Sequence, residues 1–133
     1  MPPSNEEVIA KLFDLFVRGD REGAVGLFAE DAVFWYPGPG PLHGGYRGHD
    51  GILRFWSEQD RYSGDRFRPE LVDLGAGDRN VFALVRMGPQ DGTNSWMRVV
   101  VYEVSDGEIT GARVFEDDPA AADAFFSKGE EAT

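Results

Sequence analysis

The stretch from Gly19 to Trp56, GDREGAVGLFAEDAVFWYPGPGPLHGGYRGHDGILRFW, decides the fold. It predicts the end of one helix, a second helix, a short strand, a Pro/Gly-rich bend and a third helix. Gly19 suits the left-handed residue that ends a helix, and Asp20 accepts hydrogen bonds from the first free N–H groups of the next helix. The alternating run Val33-Phe34-Trp35-Tyr36 predicts a strand. This strand should end at Tyr36, because the next residue, Pro37, has no N–H to donate. This order of elements constrains where a site can lie.

Elements on both sides of this stretch complete a single domain, with a core over residues 5–126 of the 133. Ser4 and Glu7 fit the capping-box pattern and begin a helix that reaches about Arg18. After Arg68 the hydrophobic period changes to two, and Asp106-Gly107 predicts a hairpin because a type I′ turn needs positive φ. Helices followed by antiparallel strands predict an α+β fold. The other predicted helices span 20–28, 49–60 and 119–126, and the predicted strands span 32–36, 70–74, 80–87, 95–105 and 108–116.

Composition excludes several classes of function. The formal net charge of −11 disfavours nucleic acid and anionic membranes, which bind clustered Lys and Arg. The chain has no cysteine and two histidines, so neither a thiolate nucleophile nor a His-based metal site is expected. No apolar run approaches ~18 residues, and the N-terminus lacks the pattern of a signal peptide. A cytoplasmic protein without metal or cofactor is the expectation.

Four features in this order resemble the nuclear transport factor 2-like superfamily, in particular its SnoaL-like branch. They are the Gly19-Asp20 junction, AEDAVFWYPG at 29–38, GYRGHDGILRFW at 45–56 and SDGEITGARVFEDDPAA at 105–121. The resemblance implies a cone-shaped fold of the cystatin-like type, in which a curved antiparallel sheet wraps around the N-terminal helices. It also implies a pocket on the concave face of the sheet and a convex face that commonly forms a dimer.

The turn at Asp106-Gly107 predicts which residues face that pocket. A two-residue turn pairs Val104 with Ile109 and, if the pairing continues unbroken, Met97 with Glu116. The face with small aliphatic side chains is then expected to line the pocket, and it carries Met97, Val99, Val101, Ala112, Val114 and Glu116. The aromatic and basic face is expected to form a homodimer interface, where such residues are enriched. Its members are Trp96, Arg98, Val100, Tyr102, Arg113 and Phe115.

The resemblance also directs attention to candidate catalytic residues. SnoaL-like polyketide cyclases use an acidic residue near the end of the last strand as a base, which here indicates Glu116 or Asp117; the alternative is a solvated acidic strand end. Asp118 is most simply a helix cap before a proline. Tyr36 ends its strand and can aim a hydroxyl inward. His43, in the Pro/Gly loop, is either an acid–base partner or a surface residue.

Two better-known chemistries of the superfamily are not expected. Ketosteroid isomerases use a carboxylate base beside a tyrosine and a protonated aspartate, and limonene-epoxide hydrolases use an arginine and two aspartates. The corresponding positions fall on Tyr36, Leu12 and Val99 or Val100 for the isomerase, and on Val81, Ala83 and Val114 for the hydrolase. None of these residues supplies the required group.

The sequence therefore predicts a pocket for a small hydrophobic or aromatic molecule. The rings of Phe16, Phe34, Phe55 and Trp56 either line this pocket as well or belong to the ordinary hydrophobic core. If the protein is an enzyme with cofactor-free acid–base chemistry of the cyclase, isomerase or dehydratase type, a carboxylate should lie in the pocket within reach of Tyr36 or His43. A non-catalytic ligand-binding protein predicts a pocket without such a pair. A protein-interaction module predicts a filled cone. The segment Pro37–Gly48 is either a mobile lid or a rigid bend.

Overall fold

Within residues 3–38, 40–63, 69–89 and 94–131, which the computed structural model describes, the chain forms four helices and six strands. Side chains are described as far as residue 126. The helices are α1 (Asn5–Val17), α2 (Arg21–Val25), α3 (Gly48–Ser63) and α4 (Pro119–Glu131). The strands are β1 (Phe28–Tyr36), β2 (Gly44–Arg47), β3 (Glu70–Ala76), β4 (Asn80–Met87), β5 (Trp96–Ser105) and β6 (Glu108–Glu116).

The helices begin where the sequence supplies caps. The Ser4 Oγ accepts from the Glu7 N–H and the Ser4 N–H donates to Glu7 Oε1, both at 3.2 Å, so the predicted capping box is confirmed. Asp20 accepts a hydrogen bond of 2.8 Å from the N–H three residues on, at the start of α2. Asp118 accepts one of 3.0 Å in the same way at the start of α4. A short polar side chain thus satisfies one of the free N–H groups at the start of each of these three helices.

The strands form one curved, unclosed sheet in the order β2-β1-β6-β5-β4-β3. Neighbouring strands are antiparallel except β1 and β6, which run parallel. The predicted α+β class with a cone-shaped sheet is confirmed. Helix α1 packs against β3, β4 and β5, whereas α3 packs against β1 and β2. The two helices therefore cover one face of the sheet, and the cone lies between them and the strands.

Strand β2 corrects the interpretation of the Pro/Gly segment. Gly44–Arg47 pairs antiparallel with the end of β1, so this part belongs to the sheet and not to a lid. Two consecutive glycines remove the alternation by which a strand is recognised. Pro39, in the same segment, lies outside the described residues.

A bulge in the β5–β6 hairpin makes part of the predicted register wrong. Val104 pairs with Ile109 as predicted, and Asp106 and Gly107 have the positive φ values of 52° and 79° that the turn requires. Farther from the turn, Glu103 pairs with Gly111, so that Thr110 is an extra residue without a partner. Every pair from there to the end of the hairpin is shifted by one residue from the predicted register. The Thr110 hydroxyl lies 3.2 Å from the Glu103 carbonyl oxygen and 2.8 Å from Glu103 Oε1.

The shift exchanges the two faces of β5. Val100 now pairs with Val114, and Arg98 pairs with Glu116, so these side chains share the buried inner face. The expectation that Met97, Val99 and Val101 face the pocket is wrong; they lie half-buried on the outer face. The expectation that Trp96, Arg98, Val100 and Tyr102 lie on the interface face is wrong as well, since each is at most 4 % exposed on the inner face. Arg113 and Phe115 lie on the outer face as predicted.

None of the described helices combines the length and the apolar character needed to cross a membrane.

Candidate functional site

A small cavity of about 50 Å³ lies inside the cone, between α1, α3 and the inner face of the sheet. Most of its lining is apolar, and Gln59, Arg98 and Tyr102 supply the polar groups. The partly exposed side chains of Phe13 and Phe16, beside Pro69, mark its mouth. The full lining is Leu12, Phe13, Phe16, Phe28, Phe34, Phe55, Trp56, Gln59, Pro69, Val85, Met87, Arg98, Val100 and Tyr102.

Aromatic rings form the wall of this cavity on the side of α3. Trp56 makes edge contacts with Phe16 and Phe28, with ring centroids 5.3 and 6.0 Å apart. Phe55 lies 4.6 Å from Phe34, again between ring centroids. The four rings that the sequence analysis proposed, Phe16, Phe34, Phe55 and Trp56, all line the cavity. Val114 shares the inner face of the sheet but does not reach this cavity.

A buried polar network closes the inner end of the cavity. The Arg98 Nε donates to Glu116 Oε1 at 3.0 Å, and its Nη2 donates to Glu116 Oε2 at 2.7 Å. Glu116 also accepts from the Tyr36 hydroxyl at 2.6 Å and from Trp96 Nε1 at 3.0 Å. Arg98 Nη1 donates to Gln59 Oε1 at 3.2 Å. The two charged side chains are only 5 % and 3 % exposed, so the carboxylate is held by four donors away from water.

These contacts set the charge states of the network. Burial alone would raise the pKa of Glu116, but the charge of Arg98 and the hydrogen bonds that Glu116 accepts outweigh it, and the pKa lies below its usual value. Burial likewise opposes the charge of Arg98, but Glu116 raises the pKa of the guanidinium. Burial raises the pKa of Tyr36, whose hydroxyl therefore stays protonated as the donor to Glu116. The network is an ion pair with a neutral phenol.

Two polar groups of the cavity have no partner among the described residues. The Tyr102 hydroxyl makes no hydrogen bond there, and burial raises its pKa although the charge of Arg98 opposes this. The Gln59 side chain uses its oxygen for Arg98 and leaves its amide nitrogen free. No fully enclosed side-chain nitrogen or oxygen in the described ranges lacks a partner. Both free groups belong to side chains that line the cavity, and they therefore reach its open space.

The structure brings together only two of the four residues that the sequence analysis proposed for catalysis. Tyr36 and Glu116 are in direct contact. Asp117 is exposed, and its Oδ1 accepts a hydrogen bond from the Met97 N–H at 3.0 Å. His43 is exposed and packs its ring edge-on against Trp35 on the outside of the sheet, with centroids 5.5 Å apart. Within the described ranges, no three His, Asp or Glu side chains cluster as metal ligands.

A second cleft, with a larger volume of about 280 Å³, lies on the far side of the network, where β1 and β6 end beside α4. Tyr36, Val114 and Glu116 contribute to it together with the outer-face residues Arg113 and Phe115. Glu116 thus stands between this cleft and the cavity, and Arg98 separates the carboxylate from the cavity itself.

Sequence reasoning missed Gln59, Trp96, Arg98 and Tyr102 as members of the site. An unbroken register puts the three residues on β5 on the wrong face. Gly111 is a signal for the bulge, because an isolated glycine within a strand often marks one. Gln59 follows Phe55 by four positions on α3 and therefore shares its inward face.

Comparison with known proteins gives a consistent family assignment. The sequence profile of the SnoaL-like domain matches residues 9–112. The structure is similar to that of Bal32a from a soil-derived mobile gene cassette, with a TM-score of 0.82 and 23% identity over 92% of this chain and 95% of that one. A Xanthomonas campestris protein of unknown function with a cystatin-like fold gives a TM-score of 0.83 and 19% identity over 93% and 98%.

A third similar structure is that of TerC co-crystallized with polyporic acid, with a TM-score of 0.73 and 24% identity over 87% of this chain and 93% of that one. No curated protein matches the chain. At these identities the structural similarities concern the fold alone.

Proposed function

The chain belongs to the SnoaL-like domain family, and we propose that it is a non-catalytic binding protein for a small apolar or aromatic molecule held in the cone. The observation that carries this proposal is that the Glu116 carboxylate accepts four hydrogen bonds, two of them from Arg98. No free carboxylate is therefore left in the cavity. The lining favours an apolar ligand because aromatic and aliphatic side chains supply nearly all of it.

The size of the cavity limits what enters it. Its volume of about 50 Å³ is roughly a third of the ~150 Å³ of an engineered cavity that binds benzene. A ligand is therefore expected to place a small head group at the inner end, beside Arg98. The remainder of the ligand would lie between the rings of Phe13 and Phe16 at the mouth.

Glu116 is poorly suited to act as a general base. A base must have a free lone pair within reach of the substrate proton and a pKa near the working pH. Arg98 and the hydrogen-bond donors hold the pKa of Glu116 below its usual range and occupy both of its oxygens. The carboxylate is therefore better suited to fixing the orientation of Arg98 than to removing a proton.

Cofactor-free acid–base catalysis of the cyclase, isomerase or dehydratase type is the second candidate. The contact of 2.6 Å between the Tyr36 hydroxyl and Glu116 favours it, because it pairs a proton donor with a carboxylate. It would require the substrate to displace Arg98 from Glu116. A Glu116→Gln variant that keeps ligand affinity while losing turnover of that ligand would favour this candidate over the non-catalytic one.

Two substitutions on β5 test binding. One enlarges a side chain on the inner face and so narrows the cavity, and the other enlarges a side chain on the outer face as a control. Val100 lines the cavity, and its neighbour Val101 lies on the outer face. We expect Val100→Leu to weaken binding of isopropylbenzene at least fivefold in an NMR titration, because the added methylene takes up cavity space. Val101→Leu should leave the affinity unchanged. Equal affinities for both variants and the native chain, or no binding to the native chain, would contradict the proposal.

A further inference from the structure

We propose that the cone selects an uncharged ligand through one hydrogen-bond-accepting oxygen, such as a ketone or aldehyde carbonyl, and that Arg98, Gln59 and Tyr102 hold this oxygen. The inference rests on the proposed binding function, to which it adds the chemical class of the ligand. It also assigns to Arg98 the role of a hydrogen-bond donor, not that of an anchor for an anion.

The donors that remain free among the residues lining the cavity point to an acceptor. An arginine side chain carries five N–H bonds. In Arg98, one on Nε and one on Nη2 are used by Glu116, and one on Nη1 by Gln59. The second Nη2 donor makes only a long contact of 3.5 Å with the Tyr36 hydroxyl. One N–H on Nη1 therefore stays available next to the Gln59 side chain, and the free hydroxyl of Tyr102 lines the same cavity.

All three of these groups lie on residues that are 3 % or 4 % exposed and that line the cavity. A ligand without an acceptor would cut these donors off from water at a cost in free energy, whereas a ligand oxygen would satisfy them. Because the rest of the lining is apolar, the same oxygen would also fix the orientation of a ligand that otherwise makes only apolar contacts. The free donors thus favour a molecule with one polar end.

The charge of the network disfavours a carboxylate at this position. The guanidinium of Arg98 is already neutralised by Glu116 at 2.7 Å, in a pair that is 5 % and 3 % exposed. A ligand carboxylate would place a second negative charge around one guanidinium and would lose its own hydration on entering. A neutral carbonyl gains the hydrogen bonds without either cost. The site therefore discriminates between two oxygen-bearing groups of nearly the same shape.

Three probes of similar size test this on the full chain. Acetophenone offers a neutral carbonyl, benzoate a carboxylate, and isopropylbenzene the same shape without oxygen. We expect acetophenone to bind at least tenfold more tightly than either of the others in NMR titrations. The carbonyl stretching band of bound acetophenone should also shift to lower frequency, as it does on hydrogen bonding.

Two variants connect this selectivity to the named residues. Tyr102→Phe removes a hydroxyl that has no partner among the described residues, so it keeps the packing; it should reduce the preference for acetophenone severalfold and move the carbonyl band back toward higher frequency. Gln59→Met should act in the same direction. Tyr62→Phe, which removes a hydroxyl outside the cavity, is the matched control and should change neither quantity.

The possible outcomes separate this inference from the function on which it rests. If isopropylbenzene binds as tightly as acetophenone, the apolar binding function stands and the oxygen site is wrong. If benzoate binds most tightly, the inference is overturned in favour of an anion site. If Tyr102→Phe and Gln59→Met leave both the preference and the carbonyl band unchanged, the assignment to these residues is wrong. If none of the three probes binds, both proposals fail.

Discussion

Glu116 on β6 lies directly opposite Arg98 on β5, and the two side chains join through two hydrogen bonds of 2.7 and 3.0 Å on the buried face of the sheet. Cross-strand partners of opposite charge are usually exposed, where the pair is worth little. This pair is instead enclosed by Tyr36, Trp96 and Gln59, which occupy the other acceptor sites of the carboxylate and one N–H of the guanidinium. The inner end of the cone is therefore polar but nearly neutral in charge, and this combination underlies both proposals.

Removing one member of the pair should destabilise the fold strongly. Glu116→Leu leaves the guanidinium of Arg98 buried without its counter-charge, and we expect a loss of about 3–5 kcal/mol in the free energy of unfolding. The double variant Arg98→Leu/Glu116→Leu should be more stable than Glu116→Leu, because it also removes the unpaired charge. Both are measured by urea unfolding followed by circular dichroism.

The exposed pair of Arg86 and Glu70 supplies the control for this measurement. Its atoms lie 2.9 Å apart, but the side chains are 47% and 61% exposed. Glu70→Gln should therefore cost less than about 1 kcal/mol. If Glu70→Gln and Glu116→Leu reduced the free energy of unfolding by similar amounts, burial of the inner pair would have no effect on the cost of breaking it.

The lowered pKa of Glu116 predicts a specific dependence of stability on pH. A carboxyl group with a lower pKa in the folded chain stabilises the fold fully above its unfolded value, near 4.5 here, and loses this contribution as the pH falls through the folded value. The difference in unfolding free energy between the native chain and Glu116→Gln should be constant from pH 7 to pH 5. Below about pH 4.5 it should shrink.

Urea unfolding at pH 7, 5, 4 and 3 measures this difference, and taking the difference cancels the other acidic side chains that both proteins share. A gap between the two proteins that widens toward low pH would mean that the pKa of Glu116 is raised in the folded state. Such a result would make Glu116 a plausible base and would favour the catalytic candidate.

The sequence predicts the fold well because local signals agree with the tertiary arrangement. Ser4, Asp20 and Asp118 cap helices, and the Asp106-Gly107 turn forms as expected. Each of these features depends on residues within one turn of the chain, where hydrogen-bonding geometry is strongly constrained. Glu116 is also predicted on the inner face, because it follows two small apolar residues in the alternation of β6.

The site is predicted less well because it depends on registration between strands. Strand β5 is apolar at both parities, so its alternation does not show which face is buried, and the bulge at Thr110 decides this. The unbroken register therefore puts Arg98 on the predicted interface face. His43 is a candidate because of its place in the Pro/Gly loop and Asp117 because it follows the last strand, but both side chains are exposed and neither lines the cavity.

The extra residue of the bulge, Thr110, should be essential for the fold, whereas the chemical nature of its side chain should matter little. Deleting Thr110 restores an unbroken register, which would turn either Arg98 or Glu116 toward the outer face and break the buried pair. We expect the deletion variant to lose cooperative thermal unfolding. Thr110→Val keeps the extra residue and loses only exposed hydrogen bonds to Glu103, so it should cost less than about 1 kcal/mol. A deletion variant as stable as Thr110→Val would contradict the proposed role of the bulge.

The outer face of the sheet bears on the oligomeric state, and we propose that the chain forms a homodimer through it. Phe82 and Phe115 are 45% and 52% exposed there, beside the half-buried Val99 and Val101. Arg113 lies next to them, with its guanidinium carbon 6.0 Å from the centre of the Trp35 ring. Apolar and aromatic side chains together with arginine are typical of interfaces between protein chains. The sequence pattern also predicts Trp96, Arg98 and Tyr102 on this surface, but all three are buried and do not contribute.

Light scattering coupled to gel filtration tests the dimer. The native chain should elute at micromolar concentration with about twice the single-chain mass of 14.7 kDa. Phe115→Asp should give the single-chain mass, because a charge placed in an apolar interface loses its hydration without gaining a partner. Val17→Asp is the control, since Val17 is 64% exposed on α1 and away from the sheet face, and it should leave the dimer intact. A native chain that elutes with the single-chain mass would rule out this interface.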